Sequence, residues 1–106
     1  MIYFPFQSSV LPASAIPALD DIVGKTRNFK TYTVLIEGHT DNLGTPAFNL
    51  QLSKERALAV QRYLESQGID NGLIRISGKG LSSPVGSNEH EEGRQRNRRV
   101  EVRIQN

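Results

Sequence analysis

The sequence predicts an α+β fold, βαβαβ-β in order, with helices packed on one face of a small mixed sheet. Three observations carry that reading. Two short β-rich runs, Thr31–Glu37 and Leu73–Ser77, flank a stretch in which Ala47, Leu50, Ala57, Val60 and Leu64 recur at helical spacing. Near the end, Val100, Val102 and Ile104 alternate with Arg99, Glu101 and Arg103, the pattern of a strand with one buried face. Strands that alternate with helices pack as layers around one core, and the partly polar last strand leaves the second sheet face more open.

Ile2-Tyr3-Phe4-Pro5-Phe6 reads as the first strand, and Pro5 argues for an edge or an irregular end. Ser8, Ser9 and Pro12 make a turn. Ser14 then suits the cap of a helix running to about Lys25, with Ala15, Leu19, Ile22 and Val23 as its apolar stripe. Thr31–Glu37 is β-rich and mostly apolar, as a central strand requires. The long helix ends at Gln67-Gly68, where glycine supplies a left-handed cap. Gly78 to Pro84 forms a long loop, and Glu89–Arg96 holds a short helical turn before the final strand.

Between the second strand and the long helix lies Glu37-Gly38-His39-Thr40-Asp41-Asn42-Leu43-Gly44, a polar loop punctuated by glycine. Loops at strand ends and helix N-termini are where such layouts gather ligands. Two residues could start the long helix. Thr45-Pro46 is a cap-like pair that opens the helical pattern at once. Ser53 is also a good N-cap, and in that frame Arg56 falls in the first turn, where a cation opposes the helix dipole by roughly 0.3–1 kcal/mol. A broken local rule of this kind points to function, because an anion held by Arg56 and the helix end would offset the penalty. In the other frame Arg56 is an ordinary surface residue of a continuous helix.

Composition narrows the function classes. The 106 residues form one domain, 1–106, large enough for a core without staples. A formal charge of +2 is too small to imply nucleic acid. There is no cysteine, which excludes disulfides and thiolate metal sites, and no apolar run approaches a membrane span. Glu37, His39 and Asp41 alternate and share one face if the strand continues, but their spacing matches no metal motif, so no metal and no cofactor is expected; His39 is read as bracing the loop. No nucleophile elbow or phosphate-cradling loop is present, and no catalytic residue is assigned: the chain is not read as an enzyme. Gly93-Arg94-Gln95-Arg96-Asn97-Arg98-Arg99 is basic, yet Glu89, Glu91 and Glu92 precede it and no aromatic is interleaved for base stacking. Asn97 and Arg98 instead add a second cation near Asp41 and Arg56. The resulting pocket, one carboxylate with guanidinium groups and neutral amides such as Asn49, suits a zwitterion bound without chemistry.

Taken together, Gly38-His39-Thr40-Asp41-Asn42-x-Gly44, Asn49-x-x-Leu52-Ser53-x-x-Arg56-Ala57, Gly78-x-Gly80 and Gly93-Arg94-x-x-Asn97-Arg98-Arg99-Val100 resemble the OmpA C-terminal-like family. The resemblance runs from Phe4 to Ile104. It implies a periplasmic domain of a Gram-negative bacterium, excised from a longer envelope protein, that binds peptidoglycan non-covalently and anchors its parent to the cell wall. It also implies that Asp41 takes the side-chain ammonium of diaminopimelate in the stem peptide and Arg56 its side-chain carboxylate. Thr40, Leu43, Asn49 and Arg98 then stand where the family places supporting contacts, with Gln7 as a further donor. One departure is Pro5, inside a strand that usually reads Phe-x-Phe before an acidic or amide residue. Alanine at Asp41 or Arg56 is expected to abolish binding and spare the fold. The alternative is a protein-interaction or dimerisation domain of an envelope or flagellar motor complex, with no nucleic-acid partner and membrane contact only through segments outside this chain.

Overall fold

The computed structural model describes residues 1–106. It contains β1 (Ile2–Tyr3), α1 (Ile16–Thr26), β2 (Thr33–Gly38), α2 (Pro46–Ser66), β3 (Ile74–Gly78), α3 (Glu91–Asn97) and β4 (Arg99–Gln105). Single 3-10 turns at Ala13–Ala15 and Asn71–Leu73 lead into α1 and β3. The four strands form one mixed sheet in the order β1-β4-β2-β3, with β2 parallel to β3 and the other pairs antiparallel. No helix is long and apolar enough to cross a membrane.

Strand periodicity decides which side chains enter the core. Val34 and Ile36 of β2, Val100 of β4, Ile2 of β1 and Ile74 of β3 face the helices, where Leu19 and Val23 of α1 and Ala57, Val60 and Leu64 of α2 meet them. The opposite face carries the alternate residues, among them Glu37, Arg75, Glu101 and Arg103, and no helix covers it. Helices on one face of a mixed sheet is the architecture expected from the sequence.

Two boundaries differ from expectation, each for a physical reason, and a third is decided between the two starts that the sequence leaves open. β1 stops at Tyr3, because Pro5 has no N–H to donate and Gln7 turns the chain with φ 52°. Its pairing with β4 alone makes it an edge strand, the place where proline is tolerated. Ser14 caps nothing; it lies inside the 3-10 turn that follows Pro12, and α1 starts at Ile16. The third concerns α2. It begins at Pro46, with the Thr45 hydroxyl accepting from the Phe48 amide at 3.1 Å, so the Thr45 frame holds and Ser53 is not an N-cap. Gly68 ends α2 as expected, with φ 98°.

Ser53 packs instead at the closest approach of α2 to the sheet. Its hydroxyl accepts from the Gly80 amide at 2.9 Å and donates to the Leu50 carbonyl at 2.7 Å. A Cβ on Gly38 would stand 1.9 Å from the Ser53 carbonyl oxygen, so only glycine lets β2 lie this close to α2. Gly38→Ala therefore forces strand and helix apart, and urea denaturation should show a loss of about 1–3 kcal/mol. A loss below the error of that method would contradict the packing described.

Candidate functional site

Four segments converge at the C-terminal end of β2: the loop His39–Thr45, the second and third turns of α2, the α3–β4 junction, and the turn at Pro5–Ser8. Asp41, Arg56 and Arg98 meet there, and all three are almost fully buried. Arg56 lies well inside α2, so the argument from the helix dipole does not apply to it. Nor is it an ordinary surface residue. It has no exposed surface at all.

The Arg56 guanidinium is held by three backbone carbonyls: Nε donates to Ser8 at 2.8 Å, Nη1 to His39 at 3.0 Å and Nη2 to Pro5 at 3.0 Å. The Phe4 ring lies against it, 5.4 Å from centroid to Cζ. A guanidinium has five N–H donors, so one N–H on each Nη remains without an intrachain acceptor. Burial pushes its pKa down to about 10, with Asp41 opposing and Arg98 adding to the shift. It stays a cation at neutral pH.

Asp41 accepts from the Leu43 amide through Oδ1 at 3.0 Å and from Arg98 Nη1 through Oδ2 at 3.0 Å. An ionised carboxylate offers about four acceptor positions, so roughly half are unused. Asp41 influences Arg56 electrostatically but forms no direct ion pair with it. Thr40, buried, donates its hydroxyl to the Asp41 carbonyl at 2.9 Å, and Asn49, also buried, donates Nδ2 to the Leu43 carbonyl at 3.1 Å. Both shape the loop through its backbone. Leu43 itself is exposed on the rim. Gln7 is exposed in its left-handed turn, with a side chain that makes no intrachain hydrogen bond.

Arg98 binds Glu91 through Nη2 at 2.9 Å and Asp41 through Nη1, with the Phe6 ring 6.0 Å from Cζ. Burial works to lower its pKa, but the hydrogen bonds to Glu91 and Asp41 outweigh it and the net shift is upward. Asn97, expected beside it in the pocket, does other work. Its amide ties Val85, Gly86 and Asn88 into the loop before α3, at 2.7–2.9 Å. A groove of about 620 Å³, bordered by Phe4, Pro5, Glu92, Arg96 and Arg98, runs outward from this junction.

The role of Glu91 was only half visible in the sequence, as one of three acids set against a basic patch. The Arg98 hydrogen bond holds its carboxyl below the ordinary 4.5, partial desolvation opposes this, and Arg94 adds to it. A carboxyl depressed on folding contributes stability that is complete above the unfolded value and lost as the pH falls through the folded one. The Tm gap between the wild type and Glu91→Gln should therefore be full at pH 7 and close as the pH drops below about 4.5. A gap that widens in acid would contradict the pairing.

The expected common face of Glu37, His39 and Asp41 is only partly formed. Asp41 turns to Arg98, whereas His39 Nε2 lies 3.0 Å from Glu37 and 3.6 Å from Glu101 on the open face of the sheet. His39 braces the loop through its backbone alone: its amide donates to the Arg99 carbonyl at 2.8 Å and its own carbonyl holds Arg56. Burial lowers its pKa, Arg99 adds to that, and Glu101 and Glu37 oppose it.

Residues 3–98 match the model of the OmpA family. Outer membrane protein A of Bordetella avium is 42% identical over 102 residues, which is 96% of this chain and 53% of that protein. The peptidoglycan-associated lipoprotein of Pseudomonas aeruginosa is 39% identical over 101 residues, 95% of this chain and 60% of that protein. This chain thus spans only a little over half the length of these relatives. The crystal structure of the peptidoglycan-associated lipoprotein from Burkholderia pseudomallei superimposes with a TM-score of 0.93 at 29% identity, covering 98% of this chain and 88% of that one.

Proposed function

The chain belongs to the OmpA family, and from that premise we propose that it binds peptidoglycan non-covalently through the diaminopimelate of the stem peptide. The observation that carries this reading is the unused hydrogen-bonding capacity of two buried, opposite charges: acceptor positions on Asp41 and one N–H on each Nη of Arg56. A ligand that brings an ammonium and a carboxylate together satisfies both. Asp41 takes the ammonium and Arg56 the carboxylate. Arg98, fixed by Glu91, holds Asp41 in place, and Thr40, Asn49 and Leu43 set the loop that presents it. Gln7 stands at the rim as a further donor.

Asp41 and Arg56 are almost completely enclosed, and the Pro5–Ser8 turn is held to α2 by two of the Arg56 hydrogen bonds. The relatives' names, an outer membrane protein and a peptidoglycan-associated lipoprotein, support a periplasmic anchor for a longer envelope protein. No reaction is assigned to the site. Co-sedimentation with purified sacculi tests the reading. The chain should pellet with sacculi that contain diaminopimelate and be released by free diaminopimelate, but not by lysine. A chain that stays in the supernatant at every sacculus concentration would sink it.

A further inference from the structure

We propose that Glu37, His39 and Glu101 form a site for a divalent first-row transition ion, Zn²⁺ being the probe of choice, on the sheet face that the helices leave open. Glu37 and Glu101 are register partners on β2 and β4, and His39, two residues beyond Glu37, lies on the same side of the chain. One ligand atom from each residue falls within 4.8 Å of the other two. Like charges set directly opposite on neighbouring strands repel, and Arg99, 2.8 Å from Glu101, answers only one of them.

The second observation is independent of the carboxylates. His39 is 1% exposed, yet neither ring nitrogen has a hydrogen-bond partner. Glu37 Oε1 is 3.0 Å from Nε2, an ion-pair distance to a protonated ring, without completing a ring N–H hydrogen bond. That arrangement is close to two ligands of one ion: ligands about 2.1 Å from zinc are about 3.4 Å apart at the tetrahedral angle, so Glu37 stands slightly inside that spacing. Glu101 Oε2, 3.6 Å from Nε2, corresponds to a wider ligand angle and is also held by Arg99 Nε and Nη2, both at 2.8 Å, so an ion would share it with that guanidinium. An imidazole with two carboxylates selects a transition ion over Mg²⁺ or Ca²⁺, which prefer oxygen alone. Three protein ligands leave a position for water. The ion would tie β2 to β4 directly below the loop that carries Asp41.

The test is calorimetric titration of the chain with ZnCl₂ and, separately, MgCl₂ at pH 7.5, beside ¹⁵N spectra of the histidine rings. One Zn²⁺ per chain is expected, with no comparable Mg²⁺ uptake, and a shift of the His39 ring nitrogens that leaves His90 in place. Glu37→Gln and Glu101→Gln, at half-buried positions, should each weaken Zn²⁺ at least about ten-fold, while His90→Gln should not. Circular dichroism confirms that the variants fold, and the wild-type spectra decide the question without them. No binding, binding indifferent to both glutamate variants, binding lost with His90, or equal uptake of Mg²⁺ would each overturn the proposal.

Discussion

Arg56→Ala is expected to lower the unfolding free energy by about 3–5 kcal/mol, a large fraction of the roughly 5–15 kcal/mol that holds a domain of this size. The substitution strips hydrogen-bond donors from the carbonyls of Pro5, Ser8 and His39, in a place water does not reach. Each buried acceptor left unpaired costs roughly 1–3 kcal/mol, and the cavity against Phe4 adds to it. The effect is large because Arg56 joins elements remote in sequence. It clamps the N-terminal turn and the β2 loop onto α2. Arg56→Lys keeps the charge but cannot reach three acceptors in a plane, so its loss should be smaller while remaining measurable. Urea denaturation decides this, and an alanine variant within 1 kcal/mol of the wild type would refute the clamp. Alanine at Arg56 thus costs the fold as well as the site, contrary to what the sequence alone suggests, and the lysine variant is the better probe of binding.

Asp41→Asn is expected to weaken sacculus binding by about 2–5 kcal/mol, roughly thirty-fold to several-thousand-fold, while the domain stays folded. The isosteric amide can still accept from the Leu43 amide, so the loop keeps its shape. It cannot supply the negative charge that an ammonium would meet in this buried site. Arg98 keeps Glu91 as its partner, which limits the structural cost to about 1–3 kcal/mol. Co-sedimentation with sacculi, with circular dichroism to confirm folding, separates the two effects. A folded Asp41→Asn chain that pellets like the wild type would remove Asp41 from the site.

Much of this was legible in the residues. The β2–loop–α2 unit announces itself, since an apolar run, a glycine-punctuated polar loop and a Thr-Pro cap are local signals with local causes. Gly68, the alternation in β4 and the edge position implied by Pro5 were readable for the same reason. What stayed hidden depends on contacts distant in sequence. Ser53 satisfies the local grammar of an N-cap, but its hydroxyl is used by Gly80, and no pattern within α2 reveals that. Arg56 looked like a cation in a poor place because its acceptors, Pro5 and Ser8, lie in a segment that only the tertiary fold brings near. Glu101 meets His39 through the register of β2 against β4, which a single sequence does not display. Asp41 stands out by the loop's chemistry as a candidate, yet its partnership with Arg98 and Glu91 needs α3 in position.

Asp41 and Arg56 are proposed to receive, together, the ammonium and carboxylate of one diaminopimelate side chain. Calorimetric titration of the wild-type chain with a muropeptide carrying meso-diaminopimelate, against the same muropeptide carrying lysine, tests this most directly. Lysine presents the ammonium and lacks the carboxylate. Binding of the diaminopimelate form, with the lysine form weakened at least about thirty-fold, is the predicted result. Equal affinity for the two would contradict the Arg56 contact.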